Sequence, residues 1–178
     1  LFYNTSQQAD IQQMGELGGV ACHFLSHRDE LGESIRQIRD MYGASLGGHI
    51  NEKSEFAEKI CAPDIVFDGR ETMLGNIDVI PTPGHTPGST CFQVFSPHGR
   101  IYLFTGDTLY VTDEGWKPGL LSFSDRDNLI DSLKLLQALQ PDIVLSSAFS
   151  GKAGFDVVTG HWSAKVQRAL DSLNQQEG

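Results

Sequence analysis

Apolar residues along this chain recur with two periods, and the changes from one to the other mark out its elements. Val20–Leu25 (VACHFL), Asp64–Phe67, Ile77–Ile80, Thr90–Phe95 and Ile101–Phe104 are short β-prone runs, bounded by Asp-Gly, Pro-Gly or Pro-His-Gly turn signals, and each is read as a strand. Leu31, Ile35, Ile38 and Tyr42 instead recur at helical spacing, with Gly43 placed to stop the helix. Ser45–Ile50 is a short strand or turn with two glycines, and the polar stretch Asn51–Pro63 has room for a helical turn. Ser124-Asp125-Arg126-Asp127 resembles a capping box that opens a helix carrying Leu129, Leu133, Leu136 and Leu139, closed by Pro141. Ile143–Leu145 is read as the last short strand, and a final helix presents Trp162, Val166, Ala169, Leu170 and Leu173 on one face. Strands clustered in the middle, with helices before and after, predict a layered α/β architecture whose strand-end loops gather on one edge.

Composition narrows the function classes. The 178 residues contain no repeat or linker and are read as a single domain spanning 1–178. A net charge of −10 leaves no basic face for phosphate, so nucleic-acid binding is not expected. Cys22, Cys61 and Cys91 lack CxxC spacing and form an odd set, which argues against a disulfide framework and for a reducing, cytoplasmic setting. No apolar run approaches the roughly 20 residues of a membrane span, so no membrane role is expected. The chain shows no signal peptide and opens on Leu1-Phe2-Tyr3-Asn4, which reads as a strand already under way, as though residues once preceded it. The expected partner is a small-molecule substrate.

Two glycine turns carry the candidate chemistry. Thr82–Thr90 reads TPGHTPGST and follows Ile77–Ile80; Thr105-Gly106-Asp107-Thr108 follows Ile101–Phe104. His85 and Asp107 are each expected where a strand gives way to a loop, on adjacent strands, projecting over the end of a sheet. A third strand end, after Val20–Leu25, reads Leu25-Ser26-His27-Arg28-Asp29-Glu30-Leu31-Gly32. In this order the segments resemble the metallo-β-lactamase-fold hydrolases, with PGHTPGS and GDT closest to the glyoxalase II-like branch. The resemblance runs from Leu1 to Gly151 and implies an αβ/βα sandwich, without the N-terminal hairpin expected of that family.

What the resemblance implies for a metal site depends on which ligands are present. Aligned on the aspartate of the family's His-x-His-x-Asp-His motif, His27 and Asp29 match, while Leu25 stands for the first histidine and Glu30 for the last. His85 matches the PGHTPGS ligand and Asp107 the bridging aspartate; Ala148 or Phe149 takes the place of the late-strand histidine. The family's first site therefore keeps His27, His85 and Asp107, a two-histidine, one-carboxylate set that suits zinc and also Fe(II). Its second site keeps Asp29 and Asp107, with Glu30 as a substitute donor, an oxygen set that prefers Mn²⁺ or Mg²⁺. One zinc ion or none is expected, with iron or manganese as alternatives. Asp29 is the candidate catalytic residue, orienting a water or accepting its proton.

Each of these residues also has a structural role open to it. His85 can bond backbone in its turn, Asp29 and Asp107 can cap turns, and Glu30 can favour a helix start. His23 and His49 are read as structural, His98 lies in a hairpin turn, and His161 begins the last helix as a remote stand-in for the missing ligand. Trp116, Tyr110 and Phe149 are candidate pocket walls or core aromatics. Three functions follow: a hydrolase of an ester, thioester, lactone or related bond with a reduced, mononuclear site; an inactive fold that binds a ligand or partner without metal; or an Fe(II)-dependent redox protein. A serine hydrolase is disfavoured, because Ser146, Ser147 and Ser150 lack the GxSxG elbow.

Overall fold

The structure, a computed structural model, describes residues 1–174. After helix α1 (Gln8–Glu16), a parallel sheet pairs β1 (Cys22–Phe24), β2 (Ser45–His49) and β3 (Ile65–Phe67). Helix α2 (Ser34–Tyr42) links β1 to β2, and α3 (Lys53–Lys59) links β2 to β3. A six-stranded sheet follows. It contains β4 (Glu71–Met73), β5 (Ile77–Pro81), β6 (Thr90–Phe95) and β7 (Ile101–Gly106), then β10 (Ile143–Ser146) and β12 (Phe155–Val157), in the order β12-β10-β7-β6-β5-β4. Between β7 and β10 lie the hairpin β8 (Leu109–Thr112) and β9 (Gly115–Pro118), to which β11 (Phe149–Ser150) adds, and helix α4 (Arg126–Gln137). Helix α5 (Trp162–Asn174) closes the described chain.

The layers follow from which face each strand makes apolar. Between the two sheets, Phe24 and Phe67 meet Ile77, Val79 and Phe92, with Phe2 and Phe104 packed alongside. The ring of Phe92 lies 5.8 Å from Phe24 and 5.7 Å from Phe67. On the outer face of the small sheet, Leu25 and Leu46 pack on Ile35 of α2 and Phe56 of α3. On the outer face of the large sheet, Ile80, Cys91 and Leu103 pack on Leu129, Leu133 and Leu136 of α4 and on Val166 and Leu173 of α5. The order helix, sheet, sheet, helix is an αβ/βα sandwich. Each aromatic buried between the sheets contributes on the order of 2 kcal/mol by transfer from water.

Most patterned segments take their expected form, and the exceptions have local causes. α2 stops where Gly43 adopts a left-handed conformation (φ 69°). α4 is capped by Asp125, whose carboxylate accepts Asn128 N–H, and not by Ser124. β10 is not the last strand: β11 and β12 follow. α1 and the β8–β9 hairpin were not anticipated, because α1 buries only Ile11 and the hairpin's apolar residues are interrupted by Asp113, Glu114 and Gly115. Leu1–Asn4 does not form a strand; it joins β1 through a single bridge between Phe2 and Phe24, and Tyr3 turns away at φ 64°.

That N-terminal segment is nevertheless fixed at depth. The Tyr3 hydroxyl accepts Gly106 N–H and donates to the Leu145 carbonyl, both at 2.8 Å, and so joins the ends of β7 and β10. Its own carbonyl sits 2.7 Å from Nε2 of His23, which donates to it. His23 is buried and its Nδ1 has no partner, so the ring is held neutral. Burial pulls its pKa from 6.5 to about 4, against the opposing pull of the Tyr3 carbonyl. The unfolded chain then binds the proton first. Stability from this residue is complete above pH 6.5 and is lost as the pH falls through 4. The loss amounts to about 3 kcal/mol at 1.36 kcal/mol per unit. His23→Gln, which keeps a donor for Tyr3, should show a smaller fall in urea midpoint between pH 7 and pH 4 than the parent protein. Equal falls would place the acid sensitivity elsewhere.

Candidate metal centre

Three strand ends meet on one edge of the sandwich. β5 and β6 are antiparallel and are joined by the turn holding His85; β7 ends at the turn holding Asp107; and the Ser26 carbonyl accepts Thr90 N–H at 2.9 Å, bringing the β1 end beside them. The two glycine turns thus lie at the same end of the sheet, though β6 stands between β5 and β7 and the two strands are not adjacent. Gly106 has φ 55°, and a Cβ there would fall 2.3 Å from Ser26 Oγ, so a larger residue would push the β7 and β1 ends apart.

His27, His85, Asp29 and Asp107 converge. The two imidazoles are buried, with ring centres 4.7 Å apart and planes crossing at 81°. His27 Nε2 lies 3.5 Å from Asp107 Oδ2 and 3.9 Å from Asp29 Oδ2. His85 Nε2 lies 3.4 Å from Asp29 Oδ2 and 3.8 Å from Asp107 Oδ2. Asp29 is therefore as close to the histidines as Asp107 is, and the donor set is two imidazoles and two carboxylates. One donor atom each from His27, Asp29 and His85 can be chosen within 4.8 Å of one another.

Hydrogen bonding fixes the tautomer of both rings. His85 Nδ1 lies 2.7 Å from the Gly119 carbonyl, which can only accept, so Nδ1 carries the hydrogen. Ser26 Oγ donates its one hydrogen to Glu30 Oε1 at 2.6 Å and can only accept from His27 Nδ1 at 2.8 Å. In the neutral state both histidines consequently turn a bare Nε2 lone pair toward the carboxylates. Both Nε2 atoms are buried without a hydrogen-bond partner. Unpaired buried nitrogens are costly, and two of them facing two carboxylates are the donor arrangement a divalent ion takes. The donor types fit a divalent transition-metal ion.

Charge in the cleft points the same way. Burial lowers the His27 pKa, but Asp107, Glu30 and Asp29 around the ring outweigh it and leave the pKa above its ordinary value. Burial would raise Asp107, yet His27, the Ser147 hydroxyl and His85 bring it down to about 2. Asp107 is also immobilised, since its Oδ1 accepts Ser147 Oγ–H and Ala148 N–H. Asp29 is the exposed member, with 42% of its side chain open to solvent.

Glu30 occupies a different place from the other four. Its carboxylate accepts Ser26 N–H and Oγ–H and faces Nδ1 of His27 at 3.6 Å, whereas the other donors face Nε2. Burial raises its pKa, opposed by His27 and Ser26. Leu25 is buried in the core beneath α2 and α3, out of reach of the cleft. Ala148 contributes only its backbone N–H, to Asp107. His161 lines a separate hollow with Gln137–Asp142 and does not approach the cleft. Of the three candidate wall aromatics, Trp116 is core, stacked edge-on to Trp162 at 5.6 Å; Tyr110 lines a hollow with Lys117 and Gly151; and Phe149 is exposed on β11. The ~290 Å³ cleft is walled instead by Tyr3, Asn4, Thr5, Ser6, Ser147 and Ala148.

A pair that the sequence pattern did not single out holds the two histidine loops together. Glu52 is fully buried, and its Oε1 accepts Thr86 Oγ–H at 2.6 Å and Gly88 N–H at 2.8 Å, on either side of Pro87. Its Oε2 meets Arg28 Nε at 2.7 Å. Arg28 also reaches Glu55. The only signal for this pair in sequence was an arginine between two expected ligands.

A profile of the metallo-beta-lactamase superfamily matches residues 25–148. The chain belongs to this superfamily. Solved structures agree on the fold at low identity. A HARLDQ-motif mutant of the metallo-beta-lactamase from Cronobacter sakazakii is 16% identical, covering 93% of this chain and 79% of that one, with a TM-score of 0.66. A beta-lactamase from Chitinophaga pinensis is 15% identical, covering 98% and 80%, with a TM-score of 0.67. A protein solved in a di-iron-bound form is 19% identical, covering 88% and 82%, with a TM-score of 0.62. No curated protein matches the chain in sequence. The superfamily consists typically of metal-dependent hydrolases whose members bind divalent ions, and this member keeps a His-Asp-His group with both histidines buried and the aspartate exposed.

Two expectations follow. Ser26→Ala or Glu30→Gln releases the His27 ring from its tautomer and should weaken zinc or Fe(II) binding about 10- to 100-fold, measured by chelator competition, while the circular dichroism spectrum stays unchanged. Arg28→Ala strands the Glu52 charge in the core and should destabilise the protein by about 3 kcal/mol in urea. Adding Glu52→Gln should recover part of that loss; a double variant no more stable than Arg28→Ala would show that the pair is not the cause.

Proposed function

We propose that this superfamily member is a hydrolase with one divalent ion held by His27, His85, Asp29 and Asp107, acting on an ester, thioester, lactone or related bond of a small molecule. The observation that carries the reading is the pair of buried, partnerless Nε2 atoms, each fixed by a hydrogen bond at the opposite nitrogen of its ring. Zinc suits the two imidazoles, and Fe(II) suits the same set, in keeping with the relative solved in a di-iron-bound form. When bound, such an ion supplies a water of pKa about 7 and polarises a carbonyl oxygen.

The chain's own residues divide the remaining work. Asp107, clamped by Ser147 and Ala148, cannot swing and serves as a fixed anion. Asp29 is solvent-open and lies beside both imidazoles, so it is the group to accept the proton from the attacking water. The Tyr3 hydroxyl is fully engaged with Gly106 and Leu145 and shapes the cleft without donating to a substrate. Burial of the imidazoles keeps water from the back of the site, which strengthens charge interactions within it.

Elemental analysis after dialysis should give one equivalent of zinc or iron per chain. Esterase and lactonase activity should depend on that ion, and should fall at least a hundredfold in His85→Ala and Asp107→Ala. Asp29→Asn should retain metal better than His85→Ala does while losing most of its turnover. Two retained equivalents would show that the donor count is wrong. No retained metal and no turnover with zinc, manganese or iron would leave a ligand-binding role without catalysis as the reading.

A further inference from the structure

We propose that Leu121 and Phe123 form an apolar subsite for the acyl chain of the substrate, an inference that rests on the hydrolase reading above. Both are large apolar residues left in water, Phe123 at 61% and Leu121 at 48% exposure. The Phe123 ring centre lies 6.2 Å from that of His85, so the ring stands beside one of the two buried imidazoles. Exposed apolar side chains gathered beside a polar cleft mark a ligand-binding surface more often than isolated ones do.

The turn that displays them is rigid. Ser124 N–H donates to the Leu121 carbonyl, Leu121 N–H donates to Ser124 Oγ, and Ser124 Oγ donates onward to the His85 carbonyl. Asp125 N–H then donates to the Gly84 carbonyl, and the Gly119 carbonyl accepts His85 Nδ1–H. The segment from Gly119 to Asp125 is thus stapled to the loop of His85 at three points. Phe123 lies between Leu121 and Ser124, which these bonds anchor to the His85 loop. A preformed wall of this kind binds without the entropy cost of ordering a loop.

The far side of the cleft carries charged groups that the Leu121–Phe123 turn lacks, and this sets the direction of the substrate. Asn4, Ser6 and Glu30 line both the metal cleft and a wider groove of ~870 Å³, bordered by Gln8, Glu33, Arg36, Gln37 and Asp40. A groove of that size holds a small molecule; Leu31 and Met41 add apolar surface to it, and its charged groups are more acidic than basic. An ester or lactone is therefore oriented with its hydrocarbon acyl chain over Leu121 and Phe123. Its polar, uncharged leaving group lies along Asn4 and Ser6, and its carbonyl sits between them at the histidines.

The test uses p-nitrophenyl esters of two to eight acyl carbons with the zinc- or iron-loaded protein, and in parallel the unreactive ketones 2-butanone and 2-octanone followed by NMR with no ion added. kcat/KM should rise about two- to fourfold per methylene, the upper figure being the full transfer of a CH₂ from water. The rise should flatten in the Leu121→Ser/Phe123→Ala double variant and persist in Leu17→Ser, a remote exposed leucine at the end of α1. Turnover without chain-length dependence, or a slope that survives in the double variant, overturns the subsite and leaves the hydrolase reading intact. If no ester is turned over with any ion, the hydrolase reading fails and the ketones decide. Tighter binding of 2-octanone than of 2-butanone, lost in the double variant, upholds an apolar subsite; equal binding overturns it.

Discussion

Glu52 has no contact with solvent, and the cost of burying a carboxylate there is offset because Arg28, Thr86 and Gly88 all meet it. The geometry of the cleft depends on this interaction. His27 has an extended backbone (φ −166°, ψ 173°), so its side chain and that of Arg28 leave the chain in different directions. Drawing Arg28 down to Glu52 leaves His27 on the cleft side, with Asp29 beside it. The same carboxylate grips the turn just after His85. Gly88 is packed so closely that a Cβ there would come 2.4 Å from Glu52 Cγ, and no other residue fits without displacing the Glu52 side chain or the loop. Two histidines on separate strands are thus set against each other by a charge that touches neither of them.

Around this anchor the hydrogen bonds are arranged so that both histidines and Asp107 are oriented from behind. His27 is oriented by Ser26 and Glu30, His85 by Gly119, and Asp107 by Ser147 and Ala148. These contacts leave the front of the site with lone pairs and negative charge and no hydrogen to satisfy them. A cluster of this kind is repulsive by itself, and the raised affinity of His27 for a proton is the chain's response to it. Proton and metal ion compete for the same Nε2, so the arrangement is stabilised by whichever cation is available. Asp29 alone lacks such a support, and its exposure suits a group that exchanges protons with water.

His85 and Asp107 were legible in the sequence because glycine turns follow apolar runs, a local pattern that fixes where a side chain emerges. The same holds for α2, whose spacing and terminal Gly43 agree, and for the strands that form the inter-sheet core. What local pattern cannot show is the partner across the fold. Arg28 and Glu52 read as two ordinary surface charges, and Ser26 as a loop residue, until β1 and the β5–β6 turn are placed side by side. α1 was missed because its stripe buries one residue, Ile11, and the β8–β9 hairpin because its pairing is supported by α5 and not by its own alternation. The aromatics Trp116, Tyr110 and Phe149 were offered as walls on residue type alone, and type does not specify direction.

The departures from the family motif are consistent with one another once the side chains are placed. Leucine at position 25 fills the space between the small sheet and its helices, where an imidazole would need a partner that Ile35, Leu46 and Phe56 cannot provide. Glutamate at position 30 turns inward to Ser26 and supports a histidine from behind. At the end of β10, Ser147 and Ala148 supply hydrogen-bond donors to Asp107 where the family has a metal-binding nitrogen. The nitrogen donors therefore all lie on the β1 and β5–β6 side, and the β10 side offers an ion only the carboxylate it helps to hold. His27 and His85 would hold an ion from that side. The opposite half of the cleft, between Ser147 and the Asn4–Ser6 segment, carries no nitrogen donor.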